Sequence, residues 1–203
     1  TILSSDSISH PPIEALFTID EETGMTGALN LKGGLLKGKI LLNLDTEDDN
    51  ELTIGCAGGI DVTATGSYTL EAAPPNVVFC SIQVKGLTGG HSGMDIYKGR
   101  GNANKIMNRV LVGAFEKYGI QIASIDGGSL RNAIPRESVA EIVVGEKDLD
   151  TFMAYIKSIE KELKFEYKTT DPNFSLSTSP IEIKKRVLQK GFQAKLLKSL
   201  YAC

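Results

Sequence analysis

No stretch of this sequence approaches the roughly 20 apolar residues that a membrane helix requires. The opening residues, Thr1-Ile2-Leu3-Ser4-Ser5-Asp6, hold neither a basic region nor an apolar core, the two marks of a secretory signal. No basic stripe is interleaved with aromatics, so nucleic acid is not an expected partner. Cysteine is scarce: Cys56, Cys80 and Cys203 are far apart and form no Cys-x-x-Cys pair. That spacing excludes a structural zinc ribbon and fits a reducing, cytoplasmic setting. Histidine is scarcer still, at His10 and His91, so any metal site built by this chain must lean on carboxylates. What is present is ordinary for a soluble globular protein: 203 residues, 41% of them hydrophobic, with a formal net charge of -3. That length accommodates one large or two small domains.

The carboxylates gather in two places. Ala15-Leu16-Phe17-Thr18-Ile19 is an unbroken apolar run that reads as a strand buried on both faces, and it leads straight into Asp20-Glu21-Glu22-Thr23-Gly24. Ile40-Leu41-Leu42-Asn43-Leu44 has the same character and ends in Asp45, followed by Thr46-Glu47-Asp48-Asp49. Ligands of open α/β sheets collect beyond the carboxyl ends of strands, and clustered acids call for a compensating cation. An oxygen-rich cation site and a pair of ordinary acidic turns both remain open on these residues alone. His10 precedes Pro11-Pro12 and is expected in a loop. Leu52-Thr53-Ile54-Gly55-Cys56-Ala57-Gly58-Gly59 reads as a further short strand broken by glycines. Residues 1–58 are therefore expected to be part of a three-layer α/β/α domain, with too few strands to complete a sheet.

From about residue 60 the pattern changes. Cys80, Ile82 and Val84 alternate with Ser81, Gln83 and Lys85, the signature of a strand with one wet face. Ala103, Ile106, Met107, Val110, Leu111, Ala114, Phe115 and Tyr118 recur at helical steps, and Gly119 is placed to end that helix. Strands follow over 120–125 and 138–144. A second helix carries Leu149, Phe152, Met153, Ile156, Ile159 and Leu163 behind Asp148, and Phe174-Ser175-Leu176-Ser177 is a fourth strand. This is the split βαβ order, an antiparallel sheet with two helices on one face, over 59–178. Ser179-Pro180-Ile181-Glu182 has the form of a capping box, so residues 179–203 are expected to be a further helix with Leu188, Phe192, Leu196 and Leu200 as its stripe. The fold class expected for the whole is thus α/β plus α+β, in that order along the chain.

Two loops in this second part carry polar chemistry. Gly89-Gly90-His91-Ser92-Gly93 holds an imidazole between glycines, where backbone can approach a ligand closely. Its glycine spacing matches neither phosphate-binding fingerprint. Gly127-Gly128-Ser129-Leu130-Arg131-Asn132-Ala133-Ile134-Pro135-Arg136-Glu137 is longer than a hairpin needs and carries Arg131, Asn132 and Arg136. Guanidinium and amide groups suit a carboxylate and a peptide group. A plain turn and a solvated loop remain open as readings.

Five stretches in register resemble the bacterial aminoacyl-histidine (Xaa-His) dipeptidases, a family of dinuclear zinc peptidases. They are residues 10–24, residues 42–47, Gly55-Cys56-Ala57-Gly58-Gly59, Lys85-Gly86-Leu87-Thr88-Gly89-Gly90-His91-Ser92-Gly93, and Asn132-Ala133-Ile134-Pro135-Arg136-Glu137. The resemblance implies a catalytic α/β domain with two zinc ions and an inserted lid that closes over a dipeptide substrate. It makes Glu21 the general base, Glu22 a terminal ligand of one zinc and Asp45 of the other. It makes His91 the lid histidine that steadies the tetrahedral oxyanion, with Asn132 and the adjacent Arg131 near the substrate.

The family's His-x-Asp metal motif, bridging aspartate and final histidine ligand match nothing in this sequence. The resemblance therefore implies an internal piece of a longer dipeptidase: residues 1–58 from the catalytic domain, 59–178 from the lid and 179–203 a further lid helix. Such a piece is expected to be inactive alone and to bind no zinc tightly. A related amidohydrolase of aminoacylase or desuccinylase type, and a stand-alone dimerisation or binding module, are the alternatives. A homodimer is a further expectation, with no membrane or nucleic-acid partner.

Overall fold

The computed structural model describes residues 1–22, 24–45, 50–56, 58–182 and 186–203, and divides the chain into two units, Thr1–Gly59 and Ile60–Cys203. Thr23, residues 46–49 and Ala57, which belong to the acidic and glycine-rich stretches above, lie outside the described residues.

Among its described residues, the first unit has one 3-10 turn, Ile2–Ser4, and one short helix, α1 (Thr26–Leu29). The strands expected over 15–19, 40–44 and 52–59 are not formed among the described residues: this unit has no ladder there, and Phe17 is 91% exposed and Leu42 78%. A buried strand exists only where neighbours take its N–H and C=O groups, and the apolar runs find none here. Local contacts do the ordering instead. Glu14 Oε2 accepts the N–H groups of Lys37 (2.8 Å) and Gly38 (2.7 Å), and Asp20 Oδ2 accepts the Thr26 hydroxyl at 2.8 Å.

In the second unit the strands are β1 (Leu70–Ala72), β2 (Val77–Lys85), β3 (Gly90–His91), β4 (Gln121–Gly127), β5 (Ala133–Ile134), β6 (Ser138–Gly145), β7 (Ser175–Pro180) and β8 (Arg186–Leu188). The helices are α2 (Ala103–Tyr118), α3 (Leu149–Glu166) and α4 (Lys190–Ala202). Four strands form an antiparallel sheet in the order β4-β6-β2-β7, with β1 paired to β8 and β3 to β5 in two small ribbons. Register follows alternation: Cys80 opposes Ile142 and Ile82 opposes Ala140, so every apolar side chain of that set reaches one face. α2 and α3 both pack there, through Ile106, Met107, Val110 and Leu111 on one and Phe152, Ile156 and Leu163 on the other. This is the antiparallel, one-sided arrangement expected from the split βαβ order. The opposite face is less wet than the alternation of β2 implies, because Phe79 and Val143 are covered by Val187 of β8.

Helix ends follow their chemistry in α2. The Asn102 side chain accepts from the N–H groups of Asn104 and Lys105, and Gly119 closes the helix in the left-handed region with its N–H on Phe115 O. Asp148 precedes α3 but its side chain makes no cap bond. The expected helix start at Ser179-Pro180 is overridden: residues 175–180 pair with β2, with Ser179 opposite Ser81, and the last helix begins at Lys190. A local capping signal is worth about 1 kcal/mol, less than a ladder that also buries Leu176. α4 is stitched to the sheet by a buried amide. Gln193 Oε1 accepts the Ile122 N–H at 2.8 Å and Gln193 Nε2 donates to Ile120 O at 2.9 Å. Among the described residues, no helix is long and apolar enough to cross a membrane.

Because Gln193 satisfies two backbone groups at once, Gln193→Ala is expected to leave both unpaired. The cost should be about 2–4 kcal/mol, read as a lower urea midpoint with an unchanged denaturant slope. A loss under about 0.5 kcal/mol would show that water replaces the amide there.

Candidate active site

The two polar loops meet. Gly90–His91 pairs antiparallel with Ala133–Ile134, with His91 opposite Ala133, and the Ser92 N–H extends the contact to Asn132 O at 2.7 Å. His91, Arg131 and Asn132 are thereby held beside one another on an exposed rim. Next to them lies a shallow pocket of about 450 Å³, whose lining includes Ser92, Ile96, Asn104, Leu130 and Arg131. The Arg131 guanidinium forms an ion pair with Asp61, and both groups are largely exposed.

The imidazole orientation follows from its hydrogen bonds. His91 Nδ1 accepts the N–H groups of Gly93 (3.0 Å) and Met94 (3.1 Å). A nitrogen accepting two donors carries no proton, so the neutral ring has its proton on Nε2. Nε2–H is the group left to meet a ligand.

The loop that carries His91 is tied down at both ends by one carboxylate. Asp171, 1% exposed, accepts the Thr88 N–H at Oδ1 and the Gly101 N–H at Oδ2, each at 2.8 Å. The Thr88 hydroxyl adds a bond to Thr170 O at 2.7 Å, and Arg136 Nε reaches Leu87 O at 3.2 Å. Gly86 has φ +75, and the carbonyl of Asn173 lies against its Cα, so no side chain fits where the strand turns into this loop. Inside the loop, Asp95 contacts His91, Lys98 and Arg100. The Lys98 ammonium first, and then the His91 N–H, hold the Asp95 carboxyl below its ordinary 3.8. Asp95, Arg100 and Asp171 were not singled out from the sequence. Asp95 and Arg100 lie just beyond the glycine-rich loop, Asp171 follows α3 far from it in sequence, and only the fold shows which backbone groups each meets.

Glu21, Glu22 and Asp45 belong to the other unit and are exposed. Asp45 N–H donates to Asn43 Oδ1 at 3.0 Å, the bond of a local turn. Among the described residues, no three His, Cys, Asp or Glu side chains are grouped to hold a metal ion. A catalytic zinc normally has three protein ligands, so the described side chains do not by themselves fit one.

Comparison with known proteins bears on the same loops. Residues 82–171 match the peptidase dimerisation domain. Over 187 residues, 92% of this chain, the sequence is 38% identical to the cytosol non-specific dipeptidase of Escherichia coli K12, of which it covers 39%. The crystal structure of aminoacylhistidine dipeptidase from Vibrio alginolyticus is also 38% identical, with a TM-score of 0.79, covering 100% of this chain and 41% of that one. The chain thus spans about two fifths of the length of these relatives.

Two outcomes are expected of the loop anchors. Asp171→Ala should destabilise the second unit by about 1–3 kcal/mol, since the buried Gly101 N–H and the part-buried Thr88 N–H lose their acceptor, and should speed amide exchange at Thr88 and Gly101 more than at β6. Equal acceleration throughout would mean the carboxylate serves the whole unit and not the loop. For Asp95 the folded carboxyl titrates below the unfolded one. Its stabilising contribution is therefore complete above the unfolded value of about 3.9 and is lost as pH falls through the lower folded value. The stability difference between wild type and Asp95→Asn should be constant well above the unfolded carboxylate value and shrink as pH falls below it and through the lower folded one; a difference that grows with acid would reverse the sign.

Proposed function

Because residues 82–171 match the peptidase dimerisation domain, and the chain is 38% identical to two dipeptidases over 92% or more of its length, we propose that this sequence forms the lid and part of the catalytic domain of a cytoplasmic aminoacyl-histidine dipeptidase. The observation that carries the reading is the ribbon between Gly90–His91 and Ala133–Ile134, which brings the loop carrying the His91 Nε2–H against the loop carrying the Arg131 guanidinium and the Asn132 amide. Those three groups match what a dipeptide presents: a carbonyl that becomes an oxyanion, a terminal carboxylate and a peptide group.

In this reading His91 Nε2–H donates to the oxyanion that develops as water adds to the scissile carbonyl. Such a donor strengthens its bond in the transition state, where the charge appears. Arg131 pairs with the substrate carboxylate and Asn132 with the peptide group. Glu21 takes the proton of the attacking water and returns it to the leaving amine. Glu22 and Asp45 would each supply a carboxylate to one of two zinc ions, which would polarise the attacking water, together with donors that these residues do not provide. The 203-residue chain alone is accordingly expected to hydrolyse no dipeptide. The domain match also supports a homodimer, expected as a single species of twice the chain mass in sedimentation equilibrium.

The test is a chimera in which this chain replaces the matching segment of the Escherichia coli dipeptidase. It should hydrolyse Xaa-His dipeptides. Glu21→Gln should lower kcat by about 10²–10⁴ and His91→Ala by about 10²–10³, both with zinc content retained, whereas Glu22→Ala should lose metal. An active chimera unaffected by His91→Ala would overturn the assignment of that residue.

A further inference from the structure

The carboxylate of Asp95 stands at the start of the 3-10 turn Ile96–Lys98, yet it caps none of that turn's N–H groups. It points backward instead. Asp95 Oδ2 accepts the His91 N–H at 2.8 Å, while the Asp95 N–H donates to His91 O at 3.0 Å. Both backbone groups of the histidine are therefore held by one residue. The carboxylate is in turn fixed by Lys98 Nζ, 2.6 Å from Oδ1, and by Arg100 Nη1, 3.6 Å from Oδ2. Arg100 Nη1 also donates to Gly89 O at 2.6 Å, joining the residues on either side of Gly90 into one knot. A Cβ at Gly90, where φ is +142, would fall 2.5 Å from both Arg100 Nη1 and Asp95 Oδ2, so the knot closes only over a glycine.

The same turn delivers the N–H groups of Gly93 and Met94 to His91 Nδ1. We propose that Asp95, braced by Lys98 and Arg100, is the positioning residue that fixes both the place of His91 and its tautomer. It touches no substrate; it acts by closing the turn whose N–H groups occupy Nδ1, which leaves Nε2–H as the outward donor. Its effect on turnover rests on the dipeptidase reading above, but its effect on the ring does not.

His10 supplies an internal standard. Its Nδ1 lies 2.8 Å from Pro11 O, an atom that can only accept, so this ring carries its proton on Nδ1. Long-range proton–nitrogen correlation spectra of the nitrogen-15-labelled chain at alkaline pH should show two opposite tautomers, with His91 protonated at Nε2. In Asp95→Ala the His91 nitrogens should shift to the averaged values of a free histidine, its amide exchange should rise at least about tenfold, and the resonances of β2 and β6 should stay in place. Asp95→Asn, which keeps an acceptor but loses the charge, should fall between and serves as the reporter if Asp95→Ala does not fold. In the chimera, Asp95→Ala should lower kcat by about 10- to 100-fold with little change in KM. A His91 ring and amide unchanged in both variants would overturn the inference whatever the activity. A ring that moves while even His91→Ala leaves turnover intact would sustain the positioning role and sink the dipeptidase reading.

Discussion

A carboxylate buried away from water is tolerated only where donors surround it, and Asp171 obtains its donors from the backbone of a loop far away in sequence. That exchange is what the candidate site depends on. The residue sits just past α3, where its own N–H bonds to Tyr167 O at 2.8 Å and its carbonyl accepts from Phe174 at 3.0 Å. α3 is in turn fixed by Phe152, Ile156 and Leu163 against the sheet. Core packing therefore determines where Asp171 lies, Asp171 determines where residues 88 and 101 lie, and the loop between them has little freedom left in which to misplace His91. A loop held this way can expose polar groups to a ligand without the mobility that loops usually have.

The two units solve opposite problems. Ile60–Cys203 buries one continuous apolar cluster between a sheet face and three helices, and hangs its polar loops at one rim. Among its described residues, Thr1–Gly59 leaves its apolar runs open and is ordered by a few hydrogen bonds, such as those of Glu14 and Asp20, and not by a core.

Much of the second unit was legible in the sequence because its signals were periodic and mutually consistent. The stripe from Ala103 to Tyr118, ended by Gly119, became α2, and the alternation around Ile82 became β2. Signals that depend on a partner were less reliable. The runs at 15–19 and 40–44 read as buried strands, but a continuous apolar run specifies a strand only when others lie alongside. Ser179-Pro180-Ile181-Glu182 had the composition of a helix start, and pairing with β2 took those residues first. In the site, His91, Arg131 and Asn132 were visible as residue types in unusual loops. Their meeting was not, since it rests on a two-residue ladder with no periodicity to detect. Asp95 and Asp171 were invisible for the same reason: a lone acid reveals its role only through the backbone it bonds.

The ties that shape the His91 loop share a property of descent. Thr88 and Gly101 with Asp171, Arg136 with Leu87, Arg100 with Gly89, Asp95 with His91, and Ser92 with Asn132 all begin and end within residues 82–171, the span of the domain match. A stretch of gene encoding that span would carry the complete set of loop anchors with it, whatever it were joined to. Exchange of such a segment between proteins would transplant a histidine already held in place, with its support, so that the rim need not be built afresh in a new setting.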